Sequence, residues 1–326
     1  MGGREERRPQ EVSRPEARLG VVMVVGACRD RAQHALDRLC AQTALDSMQI
    51  VVVDTAEDVP GLRVPDGAPV QIVPAPGTQA WAPARRAGLE RLSTPIVAFV
   101  EEHCFTDPGW AEALIEAHEG PWATVGFGFR NANPETYVSR AAMLTDYGLW
   151  LEPVQRGPMQ NLPGNNVSYK REAFLSLGDR LEAAYASDFV AHEAFRERGQ
   201  PMFIEPRATA AHMNFTTVWE TGLTNYIWCR AMAARRADAA RWSPLRRILQ
   251  GLVTPASAPA YRTVRLLRTL GGRRPLWKDF ALGLPVFLAV GVWAGLGEAA
   301  GYLAGSGDSE AQLKRWELDV ERVAIS

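Results

Sequence analysis

The chain has 326 residues, 47% of them hydrophobic, enough for one large domain or two smaller ones with a sizeable core. A net charge of −1 argues against a broad electrostatic dependence on nucleic acid, so none is expected as a partner. The four cysteines, Cys28, Cys40, Cys104 and Cys229, are scattered with no CxxC pair, which supports neither a zinc knuckle nor a disulfide framework and fits a reducing compartment.

Residues 1–18 are charged, carry Pro9 and Pro15 and have no apolar run, so they read as a disordered tail. No apolar segment follows the early basic residues as a signal peptide would require, and Glu6 stands where a myristoylation site wants Ser or Thr. The N-terminal part is therefore expected in the cytosol. Leu19 to Val25 is a β-branched run ending at Gly26, the form of a buried first strand. Arg31 to Gln42 has helical spacing, and Gln49 to Asp54 is a second buried strand ending in an acid, which is βαβ in outline. An acid there often meets a ribose or base, although spacing alone fits a turn or helix cap as well. Neither GxGxxG nor GxxxxGK[ST] occurs, so no Rossmann fingerprint or P-loop explains the fold.

Val70 to Val73 is a short third strand, and Ala84 opens a helix reaching about Leu92. Arg85 and Arg86 at a helix start oppose the macrodipole unless an anion sits nearby; a solvated pair is the plain alternative. The stretch Ile96 to His103 organises the rest: five apolar residues run into Glu101, Glu102 and His103. Alternation puts Glu101 and His103 on one face and Glu102 on the other. At the carboxyl end of a strand in an open α/β sheet, a carboxylate and an imidazole suit a divalent cation, which in turn suits a phosphate. A charged cap on a buried strand is the bland alternative. Asp107-Pro108-Gly109-Trp110 then turns into another helix.

The order of these pieces resembles family 2 glycosyltransferases of the GT-A fold. The resemblance rests on the strand ending in Asp54, the helix from Ala84 to Leu89, Glu101-Glu102-His103 at a DxD-type position, and Pro108-Gly109-Trp110. It continues in Gly164-Asn165-Asn166 ahead of Lys170-Arg171, in Ser187-Asp188, and in Phe203 to Pro206 leading to His212, over roughly residues 19 to 215. Neither Glu101 nor His103 is the family's Asp, and Ser187 replaces its usual Glu. The resemblance implies an α/β, Rossmann-like mixed sheet flanked by helices. It implies a nucleotide-diphosphate sugar held by Asp54, Arg85, Glu101, Glu102, Asn165 and Asn166, and a divalent cation held by Glu101, His103 and His212. Asp188 would be the base of an inverting transfer. With His among the ligands, Mn2+ is expected over Mg2+. The segment from Gly128 to Pro163, with Tyr137, Tyr147, Trp150 and Met159, would shape the acceptor side, a glycan or lipid-linked hydroxyl.

After His212 the character changes. Residues 19–240 would form the glycosyltransferase domain, 241–279 a basic amphipathic helical region, 280–304 a hydrophobic membrane segment, and 305–326 a polar tail. Apolar residues interleave with ten arginines between Arg235 and Arg274, which suits an anionic membrane surface or an ordinary solvated helix face. Phe280 to Gly297 carries no charge and could bury about 27 Å, near the minimum for a span. Basic residues crowd its N-terminal side, so the positive-inside rule keeps the catalytic domain cytoplasmic at a cell membrane. Two other classes stay open. One is an inactive GT-A-fold binding or scaffold protein, suggested by the missing aspartates. The other is a nucleotidyltransferase, which Gly26-Ala27-Cys28-Arg29 is too poor in glycine to favour.

Overall fold

The β-branched runs found in the sequence become the centre of one mixed sheet in the computed structural model, which describes residues 16–78 and 80–322. In chain order the elements are β1 (Leu19–Val25), α1 (Arg29–Cys40), β2 (Met48–Asp54), β3 (Val70–Pro74), α2 (Trp81–Leu89), β4 (Ile96–Glu101) and β5 (Cys104–Thr106). Then come α3 (Trp110–Ala117), β6 (Thr124–Asn131), α4 (Tyr137–Tyr147), β7 (Gly157–Pro158), β8 (Val167–Lys170), α5 (Arg171–Leu175), α6 (Leu181–Ala186), α7 (Asp188–Glu197) and β9 (Met202–His212). Four helices close the chain: α8 (Val218–Ala239), α9 (Pro244–Leu270), α10 (Trp277–Ala304) and α11 (Ser309–Leu318).

The strand order is β3-β2-β1-β4-β8-β6-β9-β5, with β7 on β9. The first four strands are parallel, and β8 joins β4 and β6 antiparallel. β1 and β4 are buried along their whole length, as continuous apolar runs require. Gly88 lets α2 lie directly on β1 and β2: a Cβ there would fall 2.5 Å from a Val22 methyl and 3.1 Å from one of Val53. Most of the expected tail, residues 1–15, lies outside the described residues; Arg18 already bonds through its backbone to Ser47 and Ile96.

Two expectations change. Helix α2 begins at Trp81, so Arg85 stands at its middle and Arg86 in its last turn, where a cation suits the macrodipole. The polar tail is not free: α11 and the residues after it return to the sheet, and Leu318 is fully buried. Helix α10 packs on α8, α9 and α4 through a stripe of glycines. A Cβ on Gly291 would meet Pro259 at 2.8 Å, and one on Gly297 would meet the Tyr226 carbonyl at 2.2 Å. Leu282, Leu288, Val292, Leu296 and Leu303 remain exposed on α10, and Leu245, Ile248, Leu249, Leu252 and Val253 on α9.

Candidate active site

Strand β4 delivers Glu101 at its last position, and the turn after it carries Glu102 and His103 before β5 pairs with β9. That pairing sets Cys104 opposite His212, which brings His212 beside the end of β4. Glu101, His103 and His212 are all buried, with one ligand atom of each within 4.8 Å of the others. His103 Nε2 lies 3.4 Å and His212 Nε2 3.5 Å from Glu101 Oε2. The two rings meet edge-on, with centroids 4.8 Å apart.

The surroundings hold these atoms in place. Asn214 Oδ1 lies 3.0 Å from His212 Nδ1 and fixes the orientation of the ring. Burial, reinforced by the Arg322 charge, pushes the His103 pKa well below its ordinary value. Burial works to raise Glu101, but His103 first and then His212 outweigh it and hold the carboxyl well below its usual range. Asn165 Nδ2 donates to Glu101 Oε1 at 2.8 Å, while Asn166 Nδ2 and the Tyr147 hydroxyl donate to Oε2. One carboxylate and two imidazoles form an N/O donor set that a divalent cation can accept.

Asn165 reaches the second carboxylate as well. Its backbone lies in the left-handed region, φ 65°, which Asn tolerates better than most residues. Arg85 Nη2 donates to its Oδ1 at 3.0 Å, and its own N–H donates to Asp188 Oδ2 at 2.7 Å. Asp188 also pairs with Arg85 Nη1 at 3.0 Å and accepts from the Tyr169 hydroxyl at 2.6 Å. Burial raises the Asp188 pKa, while Arg85 and then His192 lower it, and the net direction is down. Ser187 is the cap of α7 and Asp188 its first residue.

The remaining expected residues divide. Asp54 ends β2 and does not line the cavity of the Glu101 cluster; both Nη atoms of Arg29 hold it at 3.1 and 2.6 Å. Glu102, expected at the nucleotide sugar, faces the other side of β4 with no exposed surface. There it accepts from Arg31 Nη2 at 2.7 Å and from the Gly26 N–H at 2.9 Å. Burial pushes its pKa up to about 7 against the pull of Arg31. Sequence reasoning missed Arg31, Glu317 and Arg322. A buried Glu102 demands a cationic partner, but nothing local says which arginine supplies it. Tyr147, expected on the acceptor side, in fact touches Glu101 and lies 4.5 Å from the His212 ring.

A cavity of about 960 Å³ opens from this cluster toward the helical region. Glu101, His103, Asp188 and His212 line one end, and Trp228 of α8, Arg262 of α9 and Phe287 of α10 line the other. The C-terminal helices therefore wall the space in front of the candidate site.

Residues 21–178 match the family model described as glycosyl transferase family 2. Asp188, His212 and Glu317 lie beyond the matched residues. No curated protein matches the chain. Among solved structures, the crystal structure of S. aureus TarS is similar at 11% identity and a TM-score of 0.39, over 60% of this chain and 36% of that one. This chain thus spans little more than a third of that relative. The mixed sheet, flanked by helices and followed by a long apolar helix, and the family match agree: this chain carries a glycosyl transferase family 2 domain of the GT-A fold.

Proposed function

We propose that the protein transfers a sugar from a nucleotide-diphosphate sugar to a hydroxyl acceptor, glycan or lipid-linked, with inversion and with the aid of a divalent cation, Mn2+ before Mg2+. The observation that carries this is the convergence of Glu101, His103 and His212 with Asp188 on one cavity of a family 2 domain. A bound cation would neutralise the diphosphate leaving group. Glu101, His103 and His212 hold it, and Asn165 and Asn166 keep Glu101 in place. Asp54 with Arg29 meets the ribose or base, and Arg85 stands toward the diphosphate. Asp188 takes the proton of the attacking hydroxyl, ionised as its lowered pKa requires.

A thermal-shift screen of UDP-, GDP- and dTDP-sugars with and without Mn2+ identifies the donor, since binding raises stability by mass action. With that donor, His103→Ala should stay folded and lose metal-dependent transfer by about a hundredfold or more. An unchanged rate and unchanged Mn2+ dependence would sink the cation assignment. A second reading is a binding protein that has lost transfer. It is favoured by the engagement of Asp188 with Arg85, Tyr169 and the Asn165 N–H. Donor turnover with Mn2+, by transfer or by hydrolysis, excludes it.

Attachment to a membrane with the sheet domain on the cytoplasmic side belongs to the same reading. Arg274 to Ala304 is the one stretch among the described residues long and apolar enough to cross a bilayer, and 44% of its most apolar 18 residues are buried. Because α10 gives its glycine face to α4, α8 and α9, the arrangement that suits it is in-plane, with the exposed leucines of α9 and α10 in the interface. Exposed Arg246, Arg265, Arg268 and Arg274 would add attraction to anionic lipid. The full-length protein should float with anionic liposomes, and Leu288→Glu with Val292→Glu should release it. Equal flotation of both proteins would refute the anchor.

A further inference from the structure

The last helix, within the polar segment after residue 305, is docked on the sheet domain. The Cys28 N–H donates to the Leu318 carbonyl at 3.3 Å, the Ala27 N–H to Asp319 Oδ1 at 3.1 Å, and Arg31 to the carbonyls of Glu317 and Val320. Gly26 leaves room for this: a Cβ there would lie 2.5 Å from Leu318 Cβ. On the other side, Arg322 donates to the Met213 carbonyl at 2.7 Å and lies 4.3 Å over the Phe215 ring. The segment is thus clamped to the loop after β1 and to the chain after β9. Between the clamps, the Glu317 side chain is 18% exposed and lines the cavity.

Glu317 Oε2 stands 3.7 Å from His103 Nε2, close to the 3.4 and 3.5 Å that separate the imidazoles from Glu101. Donor atoms sharing one ion at about 2.1 Å are about 3–4 Å apart. We propose that Glu317 is a further protein ligand of the cation site, delivered by the C-terminal helix. The proposal rests on the cation reading of the Glu101 cluster.

Donor chemistry supports it. Glu101 is the one carboxylate among the three clustered residues, and hard divalent ions favour carboxylate oxygen. Glu317 brings a second carboxylate. In the structure Arg322 pairs with Glu317. Ligation would then tie the C-terminal helix to the catalytic end of the sheet, so that the cation both completes the site and secures its wall.

Titration of Mn2+ into the full chain without donor, followed calorimetrically, tests this. The isosteric Glu317→Gln should weaken Mn2+ binding by about tenfold or more, and His212→Ala should weaken it at least as much. Glu317→Cys should exchange Mn2+ preference for Cd2+ and show a thiolate-to-metal absorption band absent from the wild-type protein under the same conditions. If His212→Ala weakens binding while Glu317→Gln binds as tightly as the wild type and Glu317→Cys shows no band, the Glu317 assignment is overturned and the cation reading stands. If the wild type binds no Mn2+, both fall together.

Discussion

Two buried carboxylates about the same cavity are treated in opposite ways. Asp188 already has its cation: Arg85 is only 3% exposed and pairs with it directly, while Tyr169 and the Asn165 N–H add hydrogen bonds. Glu101 has only neutral donors, Asn165, Asn166 and Tyr147, with two imidazole nitrogens turned toward it. Both charges are desolvated, and a buried charge costs several kcal/mol unless it is paired. On the proposed reading, the difference separates the carboxylate that carries its own counter-charge from the one that a cation would complete. Asn165 spans both regions, with its amide nitrogen on Glu101 and its amide oxygen on Arg85.

The contrast can be broken hardest at Asp188. Asp188→Asn should reduce transfer by about a hundredfold or more, because the amide cannot take a proton. It should also cost about 3–5 kcal/mol, because Arg85 is left buried without its counter-charge. Denaturant titration measures the second effect, and unchanged stability would mean that the pair is not the structural half of the comparison. Cutting the bridge comes next. Asn165→Gly keeps the positive φ but removes both amide contacts, with an expected loss of about 1–3 kcal/mol and weaker Mn2+ binding. A variant that loses stability but keeps its metal affinity would show that Asn165 serves only the Arg85 side.

Acid sharpens the comparison on the Asp188 side. His192 contacts the Tyr169 hydroxyl at 3.2 Å, and burial, against the pull of Asp188, lowers its pKa to about 4. In the unfolded chain it titrates near the ordinary 6.5, so between these values the unfolded state binds more protons and stability rises with pH. Stability from His192 is therefore full above about 6.5 and lost as pH falls through about 4. Melting temperatures across that window should decline less steeply for His192→Gln, and parallel curves would remove His192 from this role. The smallest effect is expected from Tyr147→Phe. It keeps the ring on His212 but deletes one hydrogen bond to Glu101, about 1 kcal/mol, and should change Mn2+ affinity only a few-fold.

What could be read from the chain was local. Continuous β-branched runs made β1, β2 and β4 legible, because a strand buried on both faces must be apolar throughout. Alternation along β4 put Glu101 and His103 on one side and Glu102 on the other, and the structure keeps that division. Helix limits were less legible: α2 starts earlier than its arginines suggested, since Trp81-Ala82-Pro83 is a first turn with proline tolerated near its start.

The amino-acid order by itself determined the parallel core, the strand that presents Glu101 and His103, and the apolar stretch that became α10. It does so because pleat, helical period and burial are written residue by residue over short spans. Only the tertiary structure decided that Glu102 would meet Arg31, 71 residues away, and that Arg31 would also hold the Glu317 carbonyl, 286 residues away. Such partners are chosen by the closing of the sheet and the return of the last helix, not by any local periodicity. Any of the chain's many arginines could have satisfied the same carboxylate, and packing alone selected the one that did.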